Sequence, residues 1–274
     1  MTWWAVDVVT APDRRDAVGA WLVARTGQAI EERADGTLVT FAETEDAAES
    51  LAAALVREHG AEVRRRPLDE VDWSERWRDG IAPRRFGRLL VTPSWIPADP
   101  ADGHVVVLDP ESAFGSGEHG STRAALTLLE RHLAPGSRVI DLGSGSGILA
   151  IAAVTLGAAR AVGVETDDEA NVIARENARK NGTAGRSDFL TGDAADLAPL
   201  LGAADLLLSN ILRNVNVALL PAIGAALRPG GIAIFSGMEL PEAPLFRPEL
   251  ERSSFAIIDE VTDAGWWGVA ARRG

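Results

Sequence analysis

The chain has 274 residues, 46% of them apolar, and a formal net charge of −13, which is typical of a globular protein with one or two domains. The acidity argues against nucleic acid as a direct partner, because phosphate contacts need clustered Lys and Arg. It favours a basic partner, with the alternative that it only keeps the protein soluble. No cysteine is present and no segment is long and apolar enough for a membrane span, so disulfides, metal sites and membrane insertion are not expected. The N-terminus lacks the basic start and apolar run of a signal peptide, and we expect a cytoplasmic protein.

Residues 1–66 are predicted to form a small α+β domain with the ferredoxin-like order β-α-β-β-α-β. Apolar spacing predicts strands at 3–9, 28–33, 37–41 and 61–66, and helices at 12–25 and 45–59. Asp35-Gly36 is typical of a hairpin turn between the middle strands, and Gly60 is typical of a helix end.

Residues 67–100 are interpreted as a linker that contains a helix followed by a strand. Its tryptophans Trp73, Trp77 and Trp95 are expected to anchor it against the following domain. Burying an aromatic ring of this size contributes about 2 kcal/mol or more.

Strands and helices alternate from residue 101 to 274, which predicts a parallel sheet covered on both faces. The predicted strands fall near 138–141, 160–164, 186–190, 204–208 and 231–236, and the predicted helices near 119–133, 147–156, 167–181 and 213–227. Two closing strands near 254–260 and 266–272 have no helix between them, so we expect them to be antiparallel.

A glycine-rich turn follows the strand that ends at Asp141. Gly143, Gly145 and Gly147 precede a helix, where glycines let the backbone approach a ligand and present N–H groups. The dinucleotide-binding pattern G-x-G-x-x-G would need glycine at Ile148, so no pyrophosphate site is indicated. A simple tight turn is the alternative interpretation of this segment alone.

The next strand ends in an acidic residue, Glu165, which follows Gly143 by 22 residues. A carboxylate at this place suits bidentate hydrogen bonding to a ribose diol. Either feature alone is weak, and a solvated glutamate is the alternative, but the joint pattern is much rarer and predicts a nucleoside-containing cofactor.

Two further strand ends carry candidate site residues. Asp193 follows the third strand and is either a ligand of an adenine amino group or a turn or cap residue. Asn210 follows the fourth strand, at the carboxyl edge where open α/β sheets bind ligands. Its amide oxygen can accept a hydrogen bond from a substrate amine, although an asparagine that caps the next helix is the alternative.

The segment 109–122, with the sequence DPESAFGSGEHGST, resembles the signature of the ribosomal protein L11 methyltransferases, the PrmA family. Asn210-Ile211-Leu212 is similar to the N-I-L motif of that family. Further similarity lies around Trp73, Trp77 and Pro93-Ser94-Trp95, at Ser236-Gly237 and at Gly265-Trp266-Trp267, so the resemblance covers nearly the whole chain.

The resemblance implies a Rossmann-like class I methyltransferase domain over 101–274 that binds S-adenosylmethionine, with the N-terminal domain recognising a protein substrate. It implies that the cofactor is contacted by Thr122, Gly143, Glu165 and Asn210, with Gly145 in the cofactor loop. It further implies that Phe114, His119 and Ser121 lie beside the cofactor, although His119 is alternatively a residue that only caps or packs the loop.

The chain departs from the family pattern at four sites. It has Ser116 and Ser121 where the family usually has threonine, and serine keeps the hydroxyl needed for cofactor binding. Gly120 replaces proline or another residue. Arg213-Asn214 stands where small residues and proline are usual, which makes the substrate less certain than the cofactor.

The sequence therefore predicts methylation of lysine and N-terminal amines of ribosomal protein L11, with Asn210 orienting the amine. The alternatives are a lysine of another protein, a small-molecule substrate, or a relative that binds the cofactor without turnover. A nucleic-acid methyltransferase is disfavoured, because the chain has Asn210-Ile211-Leu212 where the base-amine motif is Asn-Pro-Pro-Tyr.

Overall fold

The computed structural model describes residues 3–26, 30–33, 35–67, 82–99, 101, 103–108 and 117–274. The chain divides into two compact units, Met1–Gly80 and Ile81–Gly274, each of which is described by itself. Among the helices of the described residues, none combines the length and apolarity needed to cross a membrane. The linker helix predicted around Trp73 and Trp77, and Phe114, lie outside the described residues.

The described residues of the first unit form four strands and two α-helices in the predicted order. They are β1 (Trp4–Val9), α1 (Arg15–Thr26), β2 (Glu31–Glu32), β3 (Leu38–Ala42), α2 (Glu45–His59) and β4 (Glu62–Pro67). The sheet has the order β2-β3-β1-β4 with every pair antiparallel, so the ferredoxin-like prediction is confirmed.

Helix α2 begins and ends where its sequence predicts. Thr44 Oγ1 accepts a hydrogen bond from the backbone N–H of Ala47 at 3.2 Å, which satisfies one amide of the first turn. Gly60 ends the helix in the left-handed conformation with φ of +60°, which only glycine adopts without strain. The buried face of the helix, which includes Leu51 and Leu55, packs on the sheet.

The second unit is built on a seven-stranded sheet. Its strands are β8 (Arg138–Leu142), β9 (Arg160–Glu165), β10 (Ser187–Thr191), β11 (Ala204–Asn210), β12 (Leu227–Glu239), β13 (Phe255–Asp263) and β14 (Trp266–Arg273), numbered after the three strands described below. The order is β10-β9-β8-β11-β12-β14-β13; the first five strands are parallel, and β14 is antiparallel to both its neighbours. The predicted parallel sheet and antiparallel closing pair are confirmed.

Helices cover both faces of this sheet. They are α3 (Gly120–His132), α4 (Ile148–Thr155), α5 (Asp168–Lys180), α6 (Ala194–Leu201), α7 (Arg213–Ala226) and α8 (Ala243–Arg252). Strand β11 shows how the two faces are buried: Leu206 and Leu208 enter the core under α3 and α4, whereas Leu207 enters the core under α7 and α8. Because both faces are buried, the middle of the strand, residues 206–208, is a continuous run of leucines instead of an alternating pattern.

Two helices and one small sheet were missed by the sequence prediction. Helices α6 and α8 contain Pro199 and Pro248, and proline inside a segment argues against a helix. Strands β5 (Arg84–Phe86), β6 (Leu89–Thr92) and β7 (His104–Val107) form a separate three-stranded sheet where only one linker strand was expected.

Candidate functional site

The candidate site lies where the order of strands reverses. From β8 the chain proceeds outward to β9 and β10, and it then returns to place β11 on the other side of β8. Leu142, at the end of β8, consequently pairs with Val164 of β9 and with Ser209 of β11. In open α/β sheets the loops after such strands diverge and leave the crevice in which ligands bind, so this carboxyl edge, called the crevice below, is the expected ligand position.

The backbone conformation of the loop after β8 requires glycine at three positions. Gly143, Gly145 and Gly147 have φ values of +67°, +49° and +79°, a region that side chains disfavour. A Cβ on Gly143 would also lie 2.6 Å from Cγ2 of Ile211, and one on Gly147 would lie 2.8 Å from Cζ of Phe189. Glycine is therefore needed both for the turn and for the close approach of neighbouring elements.

Glu165 holds the glycine loop from the end of β9. Its Oε2 accepts a hydrogen bond from the N–H of Gly145 at 3.1 Å. Its Oε1 accepts from the N–H groups of Thr166 at 2.8 Å and Asp167 at 3.2 Å. The half-buried carboxylate thus stands beside the loop with both oxygens oriented by backbone donors.

Two buried side chains support the loop and were not predicted as site residues. Asn177 of α5 donates from Nδ2 to the carbonyl oxygen of Ser146 at 3.0 Å. Asp141 accepts a hydrogen bond from the N–H of Ala150 at 3.1 Å, and its burial raises its pKa to about 8. The sequence placed Asp141 at the strand end, but its complete burial appears only when α4 packs over it.

Asn210 ends β11 on the other side of the crevice. Its Nδ2 donates to Oγ1 of Thr122 at 3.2 Å, so these two predicted residues are brought together. Its Oδ1 is buried and has no hydrogen-bond partner among the described residues. An unsatisfied buried acceptor costs about 1–3 kcal/mol, and at the carboxyl edge of the sheet this oxygen is placed where a ligand donor would satisfy it.

His119 packs beside the first turn of α3. Its ring lies 4.2 Å from the ring of Trp266, measured between centroids, and its Nδ1 is 2.8 Å from Oγ of the buried Ser121. Burial, with a smaller contribution from the charge of Arg123, lowers the pKa of His119, so the ring is neutral at pH 7. Its side chain makes no capping hydrogen bond, so between capping and packing the structure supports packing.

Gly120, one of the departures from the family pattern, has a local cause. A Cβ at this position would lie 2.6 Å from the carbonyl oxygen of Asp263 and 2.6 Å from Cδ1 of Trp266. The ion pair between Arg123 and Asp263 ties α3 to the same hairpin. Glycine therefore lets α3 approach the hairpin that carries Trp266.

The loops after β11 and β12 are in direct contact. Gly237 has φ of +81°, and a Cβ on it would lie 2.4 Å from the carbonyl oxygen of Ile211. The Ser236-Gly237 pair thus closes the crevice behind Asn210, which gives the sequence match at this dipeptide a physical reason.

Asp193 acts as the N-cap of α6. Its Oδ1 accepts a hydrogen bond from the N–H of Ala195 at 2.7 Å, and its side chain is exposed at the carboxyl edge of the sheet. The cap interpretation accounts for this aspartate in the structure, and its predicted contact with adenine stays a prediction.

Similarity to known proteins extends over most of the chain. A family model described as Ribosomal protein L11 methyltransferase (PrmA) matches residues 11–274. The Ribosomal protein L11 methyltransferase of Pelotomaculum thermopropionicum is 40% identical over 229 residues, which cover 82% of this chain and 74% of that protein. That of Thermus thermophilus is 39% identical over 199 residues, which cover 73% of this chain and 76% of that protein.

A solved structure shows the same relationship. The ribosomal protein L11 methylase of Lactobacillus delbrueckii subsp. bulgaricus is 32% identical to this chain, with a TM-score of 0.64. The match covers 71% of this chain and 100% of that chain.

Proposed function

Because the chain belongs to the ribosomal protein L11 methyltransferase (PrmA) family, we propose that it methylates lysine side-chain and N-terminal amines of ribosomal protein L11. It is an S-adenosylmethionine-dependent methyltransferase. The observation that carries the choice of an amine is the buried Oδ1 of Asn210, an acceptor without a partner among the described residues. An amine N–H is a donor from which such an oxygen accepts, and the family match to protein methyltransferases favours an amine over a hydroxyl.

The residues around the crevice fit the cofactor. The glycine loop brings bare backbone to the crevice, and Glu165 offers a carboxylate for the ribose hydroxyls. Thr122, Gly143, Gly145, Glu165 and Asn210 would hold S-adenosylmethionine. When bound, it supplies an electrophilic methyl group on a sulfonium sulfur.

The remaining predicted residues take supporting roles in this proposal. Ser121 and His119 line the start of α3 beside the cofactor, and Phe114 belongs to the same segment of sequence. Asp193 would contact the adenine with the part of its carboxylate that does not cap α6.

Positioning of a neutral amine is the chemistry that this site provides. A lysine amine has a pKa of about 10.4 in water, so it must lose a proton, to water or by desolvation, before its lone pair can react. Asn210 Oδ1 would accept one remaining N–H, while Thr122 fixes the amide through Nδ2. Holding the lone pair in line with the methyl group supplies much of the rate enhancement. No general base is assigned.

Charge supports a basic protein as the substrate. The chain carries a net charge of −13, and an acidic surface accelerates the encounter with a basic partner. We assign recognition of this partner to the N-terminal domain, residues 1–66, and catalysis to 101–274, with 67–100 as the connection. Since a ribosomal protein is made and assembled in the cytoplasm, we propose the same location for the enzyme.

The test is transfer of labelled methyl from S-adenosylmethionine to recombinant, unmodified ribosomal protein L11, read by intact mass. We expect mass increases in steps of one methyl group, and the same L11 with blocked amines should gain none. No gain, with cofactor binding confirmed by calorimetry, would reject L11 and favour a lysine of another protein or a small molecule. The substitution of Arg213-Asn214 for the usual small residues would then be the first place to look for altered specificity.

A further inference from the structure

A fully buried asparagine lies beside the turn formed by Asn210 and Ile211, and the function proposed above assigns it no role. Asn216 is the fourth residue of α7, and it points into the core between β11 and β12. A polar residue on the core side of a helix is unfavourable unless every polar atom is satisfied. Its hydrogen bonds therefore indicate what it is for.

Every polar atom of the Asn216 side chain is used. Nδ2 donates to the carbonyl oxygen of Ile211 at 2.9 Å and to the carbonyl oxygen of Ser236 at 3.1 Å. Oδ1 accepts from Oγ of Ser209 at 2.6 Å. Asn216 is thus saturated, in contrast to Asn210, whose Oδ1 has no partner among the described residues.

These three bonds enclose one position. Ser209 precedes Asn210 and Ile211 follows it, so Asn216 grips the chain on both sides of the residue that faces the amine. Ser236, the third partner, is the residue of β12 that lies opposite Asn210 in the sheet register. The same side chain therefore fixes the backbone of residue 210 along its strand and across the sheet.

The hydrogen bonds extend from Ser236 to the segment that contains Thr122, the residue that contacts the amide of Asn210. Ser236 Oγ donates to the carbonyl oxygen of Ser121 at 2.8 Å, and Ser121 is followed by Thr122, which accepts from Asn210 Nδ2. Ser121, Thr122, Ser236 and Asn216 are all fully buried. A buried and fully connected polar network of this kind has little freedom to rearrange.

We propose that Asn216 is a positioning residue for methyl transfer, which holds the Asn210–Ile211 turn so that the amide of Asn210 faces the substrate amine. The inference rests on the proposed function in one respect, the role of Asn210 in binding the amine. A displacement of about 1 Å at a reacting group can lower a rate about 100-fold, so the hold on residue 210 is kinetically significant.

The experiment compares Asn216→Leu, Asn210→Ala and the double variant in single turnovers with ribosomal protein L11. For Asn216→Leu we expect the rate of transfer to fall about 10- to 100-fold while the dissociation constant of S-adenosylmethionine changes less than about threefold. If Asn216 acts through Asn210, the double variant is no slower than Asn210→Ala alone. Losses that multiply in the double variant would overturn the proposal.

A matched control comes from the other side of the crevice. Asn177 is also a buried asparagine on a helix, but its Nδ2 supports Ser146 of the glycine loop. Asn177→Leu should weaken cofactor binding more than it slows transfer, the reverse of Asn216→Leu. The same pattern in both variants would mean that each only loosens the fold, and would contradict the positioning role.

A second readout needs no substrate. In Asn216→Leu, hydrogen exchange of the backbone amides at 209–212 should accelerate, whereas in Asn177→Leu it should stay unchanged. Ser209→Ala, which removes only the donor to Asn216 Oδ1, should give a smaller change in the same peptide if Asn216→Leu proves too unstable to purify. Unchanged exchange at 209–212 in both Asn216→Leu and Ser209→Ala would overturn the proposal, even if L11 is not the substrate. An unimpaired Asn210→Ala would instead contradict the role of Asn210 itself.

Discussion

The two sides of the crevice are built from different parts of the chain. On the side of β8 and β9, the backbone forms the site: three glycines with positive φ turn the loop, and their neighbours receive main-chain hydrogen bonds. On the side of β11 and β12, side chains form it: buried amides and hydroxyls surround Asn210. A site formed by backbone suits the cofactor, which every turnover requires. A site formed by side chains suits the substrate amine, which must be held in one orientation.

This difference implies that the two sides can be impaired separately. Changes on the glycine side should lower cofactor affinity, because they displace the loop itself. Changes on the amide side should lower turnover, because the cofactor still binds but the amine is no longer held in line. Two substitutions test this separation, Asn210→Ala and then Gly143→Ala, each with a control. A third, Asp141→Asn, tests the buried carboxylate of the glycine side.

Asn210→Ala should have the largest effect. Removing the amide deletes the acceptor for the amine, and we expect turnover to fall about 100-fold, far more than the loss of cofactor affinity that comes from removing its contact with S-adenosylmethionine. Steady-state kinetics with L11 and calorimetry with S-adenosylmethionine measure the two quantities. Equal losses of turnover and of cofactor affinity would mean that the two sides of the crevice do not have separate roles.

The control for Asn210→Ala is Asn181→Ala. The amide of Asn181 lies away from the carboxyl edge of the large sheet. It accepts from the N–H of Val107 and donates to the carbonyl oxygens of Val107 and Asn177, at 2.7, 2.7 and 2.8 Å. We expect a lower free energy of unfolding and little change in turnover per folded molecule.

Gly143→Ala should have the next largest effect and should act on affinity. The new Cβ would lie 2.6 Å from Cγ2 of Ile211, at a φ of +67°. We expect the dissociation constant of S-adenosylmethionine to rise about tenfold or more, which corresponds to about 1.4 kcal/mol or more. Titration calorimetry measures the change.

Gly182→Ala separates the clash from the backbone strain. Gly182 has a similar φ of +64°, but a Cβ there meets nothing within 4 Å. Both variants pay about 1–2 kcal/mol of left-handed strain, and only Gly143→Ala should lose cofactor affinity. If Gly182→Ala weakens binding equally, the close approach at Gly143 is irrelevant.

The same contrast explains which parts of the site the sequence predicts. A glycine with positive φ has few substitutes, so Gly143, Gly145 and Gly147 mark the loop by their identity, and Glu165 marks the next strand end by its position. Asn216 gives no such signal. Its partner Ser236 is brought to it only when β11 and β12 pair, and a lone asparagine in a helix is typical of a solvent-facing position.

The structural reasons for the departures from the family pattern could not be predicted from the sequence either. Gly120 looks like the loss of a rigid residue, whereas the structure shows that it admits the hairpin carrying Trp266. Arg213 looks like a charge placed near the substrate, and it forms an ion pair with Glu242 at 3.2 Å. In each case the explanation is a partner more than 25 residues away along the chain, which no local pattern encodes.

The last expected effect is on stability instead of function: it is a change in the slope of stability against pH, and it concerns the buried carboxylate of Asp141 on the glycine side. Burial raises the pKa of Asp141 from 3.8 to about 8, so between these values the folded protein keeps a proton that the unfolded chain releases. Stability from this group is therefore lost as pH rises from 3.8 to about 8, by at most about 1.4 kcal/mol per pH unit. Asp141→Asn keeps an acceptor for Ala150 and should remove this slope in urea unfolding between pH 5 and 7. Asp205→Asn should leave the slope unchanged, because hydrogen bonds from the backbone of Arg138 and from Arg228 lower the pKa of Asp205, and both states are ionised in that range. An identical slope in Asp141→Asn and the original protein would mean that Asp141 is ionised, and the glycine side would then contain a buried charge as well as a backbone turn.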